Sequence, residues 1–310
     1  MRILVLGFTG YLGGHVVEHL RALPGVRVLG GGRSPDAELD IDLATTRTDR
    51  LAKTLASAAP DAVINCAGST DGDPVTFAEV NSRGPAVLCA ALREAAPSAR
   101  LVQLGSAAEY GPGTPDTRVT ESAATRPVTA YGATKLAGTV TVATSGLDAV
   151  VLRVGNPVGP GAPPTGLPGR IAGLLCAAGL DPDAVVRLGD LSAYRDFVDV
   201  RDVARAAVLA TTAPGPLPPV LNIGGGHAVP VRELVRALAR TAGFRGRIEE
   251  KGGGSARSGG VSWQCSDITA AGDALGWRPS YTLDDSLSAL WAAATTADAP
   301  SPRPEGDRTP

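Results

Sequence analysis

Tyr131 and Lys135 lie four residues apart in a segment, Ala130–Ser145, whose pattern predicts a helix. A spacing of four places both side chains on one face of a helix. A phenol has a pKa of about 10, and a neighbouring ammonium group lowers that pKa because it stabilises the phenolate. Ser106 follows the predicted strand Arg100–Leu104, where its hydroxyl can donate to a substrate carbonyl. These three residues predict a catalytic site for proton transfer on a carbonyl compound.

A glycine-rich loop near the N-terminus predicts a dinucleotide site. Gly7, Gly10 and Gly13 lie between the predicted strand Arg2–Leu6 and the predicted helix Tyr11–Leu23. The first glycine allows a tight turn, the second lets the backbone approach a pyrophosphate, and the third lets helix and strand pack closely. The helix N-terminus adds free N–H groups and partial positive charge. The predicted cofactor-binding residues of the loop are Gly7, Phe8, Thr9, Gly10, Tyr11, Leu12 and Gly13.

The end of the second predicted strand, Val26–Leu29, favours a phosphorylated ribose. Proteins that bind NAD usually have an acidic residue there, whereas this chain has Gly30–Gly32 followed by Arg33. A guanidinium group matches a 2′-phosphate in charge and in geometry. We therefore expect NADP(H) in preference to NAD(H). The alternative is a solvated Arg33 with Asp36 on the ribose, and Asp42–Leu43 either bracket the adenine or form an ordinary loop.

Predicted strands and helices alternate along the first half of the chain at the spacing of βαβ units. This alternation predicts an α/β fold, a doubly wound parallel sheet of the Rossmann type with helices on both faces. We expect the dinucleotide-binding domain to cover 1–155 and about 196–224. A smaller α/β substrate domain is expected over 156–195 and 225–296. The proline-rich stretch 297–310 has no apolar period, which predicts a disordered tail.

Composition excludes several other classes of protein. The chain has 310 residues and a net charge of −2, with no block of Lys or Arg, so binding to nucleic acid is not expected. No apolar run approaches the roughly 18 residues of a membrane helix, and the N-terminus lacks the pattern of a signal peptide, so we expect a cytoplasmic protein. The four cysteines form no CxxC pair. His15 and His19 have a spacing that can bind metal, but no third ligand is evident, and we expect no metal.

At these residues the chain resembles the extended short-chain dehydrogenase/reductase superfamily, the group of NAD(P)-dependent epimerases, dehydratases and reductases. The resemblance covers about residues 1–293. The segments that carry it are Gly7–Gly13, Asn65–Gly68, Asn81, Gly105–Gly111, Tyr131–Lys135, Asn156–Gly161, Arg195–Asp202, Asn222–Gly224 and Leu275–Pro279. Their order and spacing make the match more specific than any single motif.

The resemblance implies a role for each site residue. Tyr131 would be the proton donor or acceptor, Lys135 would orient the nicotinamide ribose, and Ser106 would polarise the carbonyl. The further cofactor-binding residues that it implies are Cys66, Ala67, Gly68, Asn81 and Asn156, beside Tyr131 and Lys135. The substrate-binding residues that it implies are Ala107, Ala108, Asn156, Arg170 and Arg195. Arg195 has an alternative role in an ion pair that fixes the domain junction.

The residues after Ser106 bear on the reaction. The 4,6-dehydratases of this group carry an acid within the next two positions, which here are Ala107 and Ala108, and neither can carry a proton. Glu109, on a segment expected to be extended, would face the opposite side. Dehydration is therefore not expected. Epimerases of the group retain NAD, whereas Arg33 favours exchangeable NADPH and hence net reduction.

We therefore predict an NADPH-dependent ketoreductase, most similar in pattern to GDP-6-deoxy-4-keto-mannose reductases, although that branch usually has an acid in place of Ala108. The ketone is predicted to be either a nucleotide-linked 4-keto-6-deoxy sugar or a secondary metabolite such as an aromatic polyketide. The alternatives are an NAD-retaining nucleotide-sugar epimerase and a non-catalytic nucleotide-sensing protein. The resemblance also implies a homodimer formed through Val75–Ala95 and Ala130–Ser145.

Overall fold

The first half of the chain supplies most of a single parallel sheet. The computed structural model describes residues 1–252 and 260–297. The strands of the sheet are β1 (Arg2–Leu6), β2 (Arg27–Gly32), β3 (Leu39–Asp40), β4 (Ala62–Asn65), β5 (Arg100–Ser106), β6 (Ala149–Val154) and β10 (Val220–Ile223). Within the described residues the sheet has seven strands in the order β10-β6-β5-β4-β1-β2-β3, all parallel. This order confirms the predicted Rossmann fold.

Helices cover both faces of this sheet. The helices of the described chain are α1 (Tyr11–Arg21), α2 (Thr48–Ala58), α3 (Pro74–Phe77), α4 (Gly84–Ala95), α5 (Ala130–Ala143), α6 (Leu167–Ala178), α7 (Val200–Thr212), α8 (Val231–Thr241), α9 (Thr269–Leu275) and α10 (Leu283–Ala297). A π-helix, Ala78–Arg83, joins α3 to α4, and a 3₁₀-helix, Ala107–Glu109, follows β5. None of the helices within 1–252 and 260–297 is long and apolar enough to cross a membrane.

Strand β1 shows why the sheet is buried on both faces. Its side chains alternate, so Ile3 and Val5 pack in the core under α1 and α7, while Leu4 and Leu6 pack in the core under α2 and α4. All four residues are at most 1% exposed. A continuous apolar strand of this kind belongs in the middle of a parallel sheet.

A second region packs around its own core. Its strands are β7 (Asn156–Val158), β8 (Val185–Leu188), β9 (Tyr194–Asp199), β11 (Ala228–Pro230) and β12 (Arg247–Glu250), in sheets ordered β11-β9-β7 and β12-β8. Helices α6, α8 and α10 cover them, and Leu175, Leu234 and Leu287 are buried between these helices. Phe197 packs in this core although it lies within 196–224, and the two-domain division stays a prediction.

Several predicted elements differ from the observed ones. The sequence pattern over Val75–Ala95 predicts one long helix, which the structure divides into α3, the π-helix and α4. The pattern over Val198–Ala213 predicts a helix, but its first two residues belong to strand β9. Strand β2 runs on through Gly30–Gly32 because these glycines pair with β1 and β3. The predicted tail 297–310 lies outside the described residues apart from Ala297, which ends α10.

Candidate active site

The backbone of the glycine loop is packed so closely that Gly7 and Gly13 leave no room for a Cβ atom. Gly7 has a φ of 72°, and a Cβ there would lie 2.8 Å from the amide nitrogen of Ala67. A Cβ on Gly13 would lie 2.1 Å from the carbonyl oxygen of Gly7, so α1 packs directly on the turn. Gly10 is the N-cap of α1 and no side chain caps the first turn. The N–H groups of that turn are therefore available to a phosphate.

A positive charge, that of Arg33, directly follows the carboxyl end of β2. Arg33 is exposed, and it makes no ion pair within the described part of the chain. Gly30 lies beneath the ring of Phe8, where a Cβ would be 3.1 Å from the ring carbons. Sequence reasoning missed Glu38, an acidic residue whose carboxylate accepts a hydrogen bond from Gly30 N at 3.4 Å. Asp36 is exposed and donates its own N–H to Ser34.

Asp42 and Leu43 have local partners. The carboxylate of Asp42 accepts from Ala44 N at 3.0 Å and from the Thr45 hydroxyl at 3.1 Å. Leu43 is 4% exposed and its side chain packs in the core under α2 and α4. Their contact with an adenine stays a prediction.

The loop after β4 is held from the π-helix. Asn81 is buried, and its amide donates to Ser69 O at 2.9 Å and accepts from Ser69 N at 3.0 Å. Asn81 therefore fixes the backbone that includes Gly68. Burial raises the pKa of the Cys66 thiol to about 12, against the opposing charge of Lys135. A π-helical turn is often found at a functional site.

Ser106, Tyr131 and Lys135 come together where β5 ends and α5 begins. A Cβ on Gly132 would lie 2.6 Å from Ala108 O, so the first turn of α5 packs on the 3₁₀-helix that follows Ser106. Tyr131 is half-buried and its ring meets Phe77 edge-on, with 6.0 Å between centroids. Lys135 is 8% exposed and its Nζ donates to Leu104 O. The packing of α5 thus brings the segments that carry these three residues together, and their catalytic role stays a prediction.

Two opposing effects act on the pKa of the Lys135 ammonium group. Burial lowers the pKa of its ammonium group, while the negative charge of Glu109 acts in the opposite direction. The Ser106 hydroxyl oxygen accepts from Ala108 N at 3.2 Å. This bond uses one lone pair of the hydroxyl, which keeps its proton for donation to another group.

The prediction of an extended backbone around Glu109 is wrong. The segment Ala107–Glu109 is a 3₁₀-helix and not extended. The carboxylate is fully buried, and it accepts from Ser106 N and from Arg153 Nε. It therefore faces the protein interior and cannot serve as the acid of an elimination.

The predicted substrate residues lie on several elements: Ala107 and Ala108 in the 3₁₀-helix after β5, Asn156 in β7, Arg170 in α6 and Arg195 in β9. The amide of Asn156 donates to Asp196 O and to Gln264 Oε1, both at 3.2 Å. Gln264 was missed because it lies 108 residues further along the chain and belongs to no motif. Ala107 is buried, while Arg170 is exposed on α6.

Arg195 is a buried cation without an acidic partner. It is 8% exposed, and its guanidinium donates to Tyr194 O and Val261 O, both at 2.8 Å. Burial lowers its pKa. The alternative of an ion pair at the junction is wrong for the described residues. Asp196 instead accepts from backbone N–H groups, those of Gly225, Gly226 and Ser266. An uncompensated buried charge is costly and suits an anionic ligand.

Most of the chain matches a known protein family. Residues 3–224 match the model of the NAD dependent epimerase/dehydratase family. The chain belongs to this family. It is therefore an NAD(P)-dependent enzyme of the extended short-chain dehydrogenase/reductase type, as the motifs predicted.

Individual relatives span nearly the whole chain. A dTDP-6-deoxy-L-talose 4-dehydrogenase (NAD(P)(+)) of Kitasatospora kifunensis is 36% identical over 96% of both chains. A GDP-6-deoxy-D-mannose reductase of Pseudomonas aeruginosa is 28% identical over 93% of this chain and 95% of its own. The structure of RMD from Pseudomonas aeruginosa complexed with NADPH has a TM-score of 0.82 and 25% identity, and covers 96% of this chain and 99% of that one. UDP-glucose 4-epimerases also match.

The residues of this family member fit a dinucleotide. The uncapped first turn of α1 suits a pyrophosphate, and the absence of a Cβ at Gly7 and Gly13 gives the loop its shape. The exposed Arg33 suits a 2′-phosphate.

The two histidines of α1 have backbone partners. His15 Nε2 is 3.0 Å from Pro160 O, and His19 Nδ1 is 3.1 Å from His15 O. The hydroxyl of Tyr11 donates to Gly159 O at 3.4 Å. Within the part of the chain that the structure describes, no three His, Cys, Asp or Glu residues form a group that could hold a metal ion.

Proposed function

We propose that this protein uses NADPH to reduce the ketone of a nucleoside diphosphate-linked 4-keto-6-deoxy sugar to a secondary alcohol. The observation that carries the proposal is the packing of α5 on the turn after Ser106, which gathers a hydroxyl, a phenol and a buried ammonium group. This set suits proton transfer to a carbonyl oxygen, and Ala107 and Ala108 offer no acid for elimination.

The residues have distinct tasks in the proposed reaction. When bound, NADPH supplies the hydride that the carbonyl carbon accepts. Ser106 donates a hydrogen bond to the carbonyl oxygen, while one of its lone pairs accepts from Ala108 N. Tyr131 gives its proton to that oxygen as negative charge develops there. Lys135 stabilises the phenolate that is left, which then regains a proton from solvent.

Arg33 supports the choice of NADPH. It is an exposed cation directly after β2, and no described carboxylate forms an ion pair with it. An acidic residue at this position would repel a 2′-phosphate, whereas a guanidinium binds it through two hydrogen bonds.

Arg195 supports a substrate with a diphosphate. The Arg195 guanidinium is 8% exposed, and its partners among the described residues are carbonyl oxygens, so no described carboxylate competes with an anion for it. An aromatic polyketide ketone has no group that would use this charge. The relative that is 36% identical over 96% of the chain acts, by its name, on dTDP-6-deoxy-L-talose. We therefore favour the sugar nucleotide over the polyketide.

The test is turnover by the purified protein, followed as loss of NADPH absorbance. We expect oxidation of NADPH with dTDP- or GDP-linked 4-keto-6-deoxyhexose, and no oxidation with an aromatic ketone. Tyr131→Phe is expected to lower kcat by about 100-fold or more. Co-purified NAD with C4 epimerisation of the sugar would establish the epimerase instead. Absence of hydride exchange with every ketone would establish the non-catalytic alternative. The cytoplasmic location and the homodimer stay predictions.

A further inference from the structure

One buried carboxylate beside the site has no role in the proposed proton transfer. Glu109 is 0% exposed, and its Oε1 accepts from Ser106 N at 2.8 Å and from the Thr139 hydroxyl at 2.9 Å. Its Oε2 accepts from Arg153 Nε at 2.7 Å. A single side chain thus joins the end of β5, the middle of α5 and the end of β6.

The bond to Thr139 lies on the catalytic face of α5. Tyr131, Lys135 and Thr139 are each four residues apart, so they share one face of the helix. Ser106 and Glu109 also form a reciprocal cap, in which the serine hydroxyl accepts from Ala108 N and the carboxylate accepts from Ser106 N. The two contacts of Oε1 therefore fix the serine with respect to the helix that carries the tyrosine and lysine.

The backbone leaves a space for this carboxylate. A Cβ on Gly105 would lie 2.8 Å from Glu109 Oε1 and 3.3 Å from the Thr139 hydroxyl. Gly105 has no positive φ, so its lack of a side chain is required by this contact and by the neighbouring Val151. The residue before the catalytic serine is thus shaped around the Glu109 carboxylate.

We propose that Glu109 is a positioning residue for the reduction, because its carboxylate holds Ser106 against the face of α5 that carries Tyr131 and Lys135. The inference rests on the proposed function. Hydrogen bonds to a charged, buried acceptor are strong, and their loss leaves the partners unsatisfied.

The charges around Lys135 give the proposal a second readout. Among the described residues the negative charge that acts on its ammonium is that of Glu109, while the neighbouring Cys66 thiol stays protonated. Arg153 pairs with Glu109 on the side of Tyr110. In the proposed reaction Tyr131 and Lys135 must both carry their protons. Removal of a nearby negative charge makes this pair lose its first proton at lower pH. Reduction requires protonated Tyr131, so the basic limb of the rate profile moves to lower pH.

The experiment compares Glu109→Gln with Glu121→Gln in the intact protein. Glu121 belongs to the same polar region, since its Oε1 accepts from Asn222 N at 2.8 Å, and no contact joins it to Ser106 or to α5 among the described residues. We expect Glu109→Gln to lower kcat by about 10-fold or more and to shift the basic limb down by about half a pH unit or more. NADPH affinity, measured by fluorescence, should stay within about threefold. Glu121→Gln should leave kcat and the pH profile unchanged.

Two outcomes would overturn the proposal. One is a folded Glu109→Gln enzyme with the kcat and pH profile of the wild type, and the other is an equal shift in Glu121→Gln. If Glu109→Gln fails to fold, Thr139→Val decides, because it removes one contact of the same carboxylate: a loss of about fivefold in kcat supports the proposal, and no loss overturns it. Tyr131→Phe separates the two claims, since full turnover in that variant would refute the proposed reaction itself.

Discussion

Replacement of Arg195 by methionine should separate substrate recognition from stability. Methionine keeps an unbranched apolar stem of similar length and removes the charge. The guanidinium is 8% exposed and donates to two carbonyl oxygens at 2.8 Å. The variant loses two hydrogen bonds of about 1.5–3 kcal/mol each, but it is also relieved of burying an unpaired charge, which costs several kcal/mol. These effects nearly cancel, so we expect the free energy of unfolding to change by no more than about 1 kcal/mol, or about 2 °C in Tm.

Recognition should respond far more strongly than stability. A charge-assisted contact to a phosphate in a buried site contributes about 2–4 kcal/mol, which is roughly 30- to 1000-fold in kcat/KM. The assay compares the dTDP-linked 4-keto-6-deoxy sugar with the free 4-keto-6-deoxy sugar, which has no diphosphate. The variant should lose kcat/KM on the nucleotide-linked substrate alone. An equal loss on both substrates, or a loss on neither, would refute the reasoning from an unpaired cation.

Three further changes have defined outcomes. Arg33→Ser should weaken NADPH binding by about 10- to 100-fold and leave NADH binding unchanged, as measured by fluorescence titration, and an equal effect on both would contradict a 2′-phosphate contact. Gly13→Ala should abolish binding of both dinucleotides, because its Cβ would meet Gly7 O at 2.1 Å, and retained binding in a calorimetric titration would show that α1 can shift. The Cys66 thiol, with its pKa raised by burial to about 12, should stay protonated and resist iodoacetamide at pH 8, whereas alkylation seen by mass spectrometry would contradict that burial.

Sequence reasoning succeeds where the signal is local. The patterns along the sequence predict a strand at Arg2–Leu6, a helix near Thr48–Ala58 and a strand at Val220–Ile223, and the structure has these elements with those bounds. An apolar run or a helical period lies within each one. The glycines of the phosphate loop also act through their immediate neighbours, so their spacing is enough to predict the turn.

The rest depends on contacts between distant segments. The short strands β7, β9 and β11 exist because they pair with each other, and no periodicity develops within three to six residues. The 3₁₀-helix after Ser106 depends on the cap that Glu109 completes. The hydrogen bonding of the buried Arg195 guanidinium depends on the carbonyl of Val261, which is 66 residues away in the chain. The pattern of residues along a sequence does not show which distant segments pair in this way.

The contacts of α1 with the loop that opens the second region have a practical consequence for protein engineering. Tyr11 and His15, in the helix that begins at the phosphate loop, bond to the carbonyls of Gly159 and Pro160. The phosphate loop and the helix that follows it therefore cannot be exchanged independently of the second region. A chimera that exchanges the first βαβ unit for that of a relative must keep a tyrosine at position 11 and a histidine at position 15, because these side chains bond to backbone carbonyls that any residue at 159 and 160 provides.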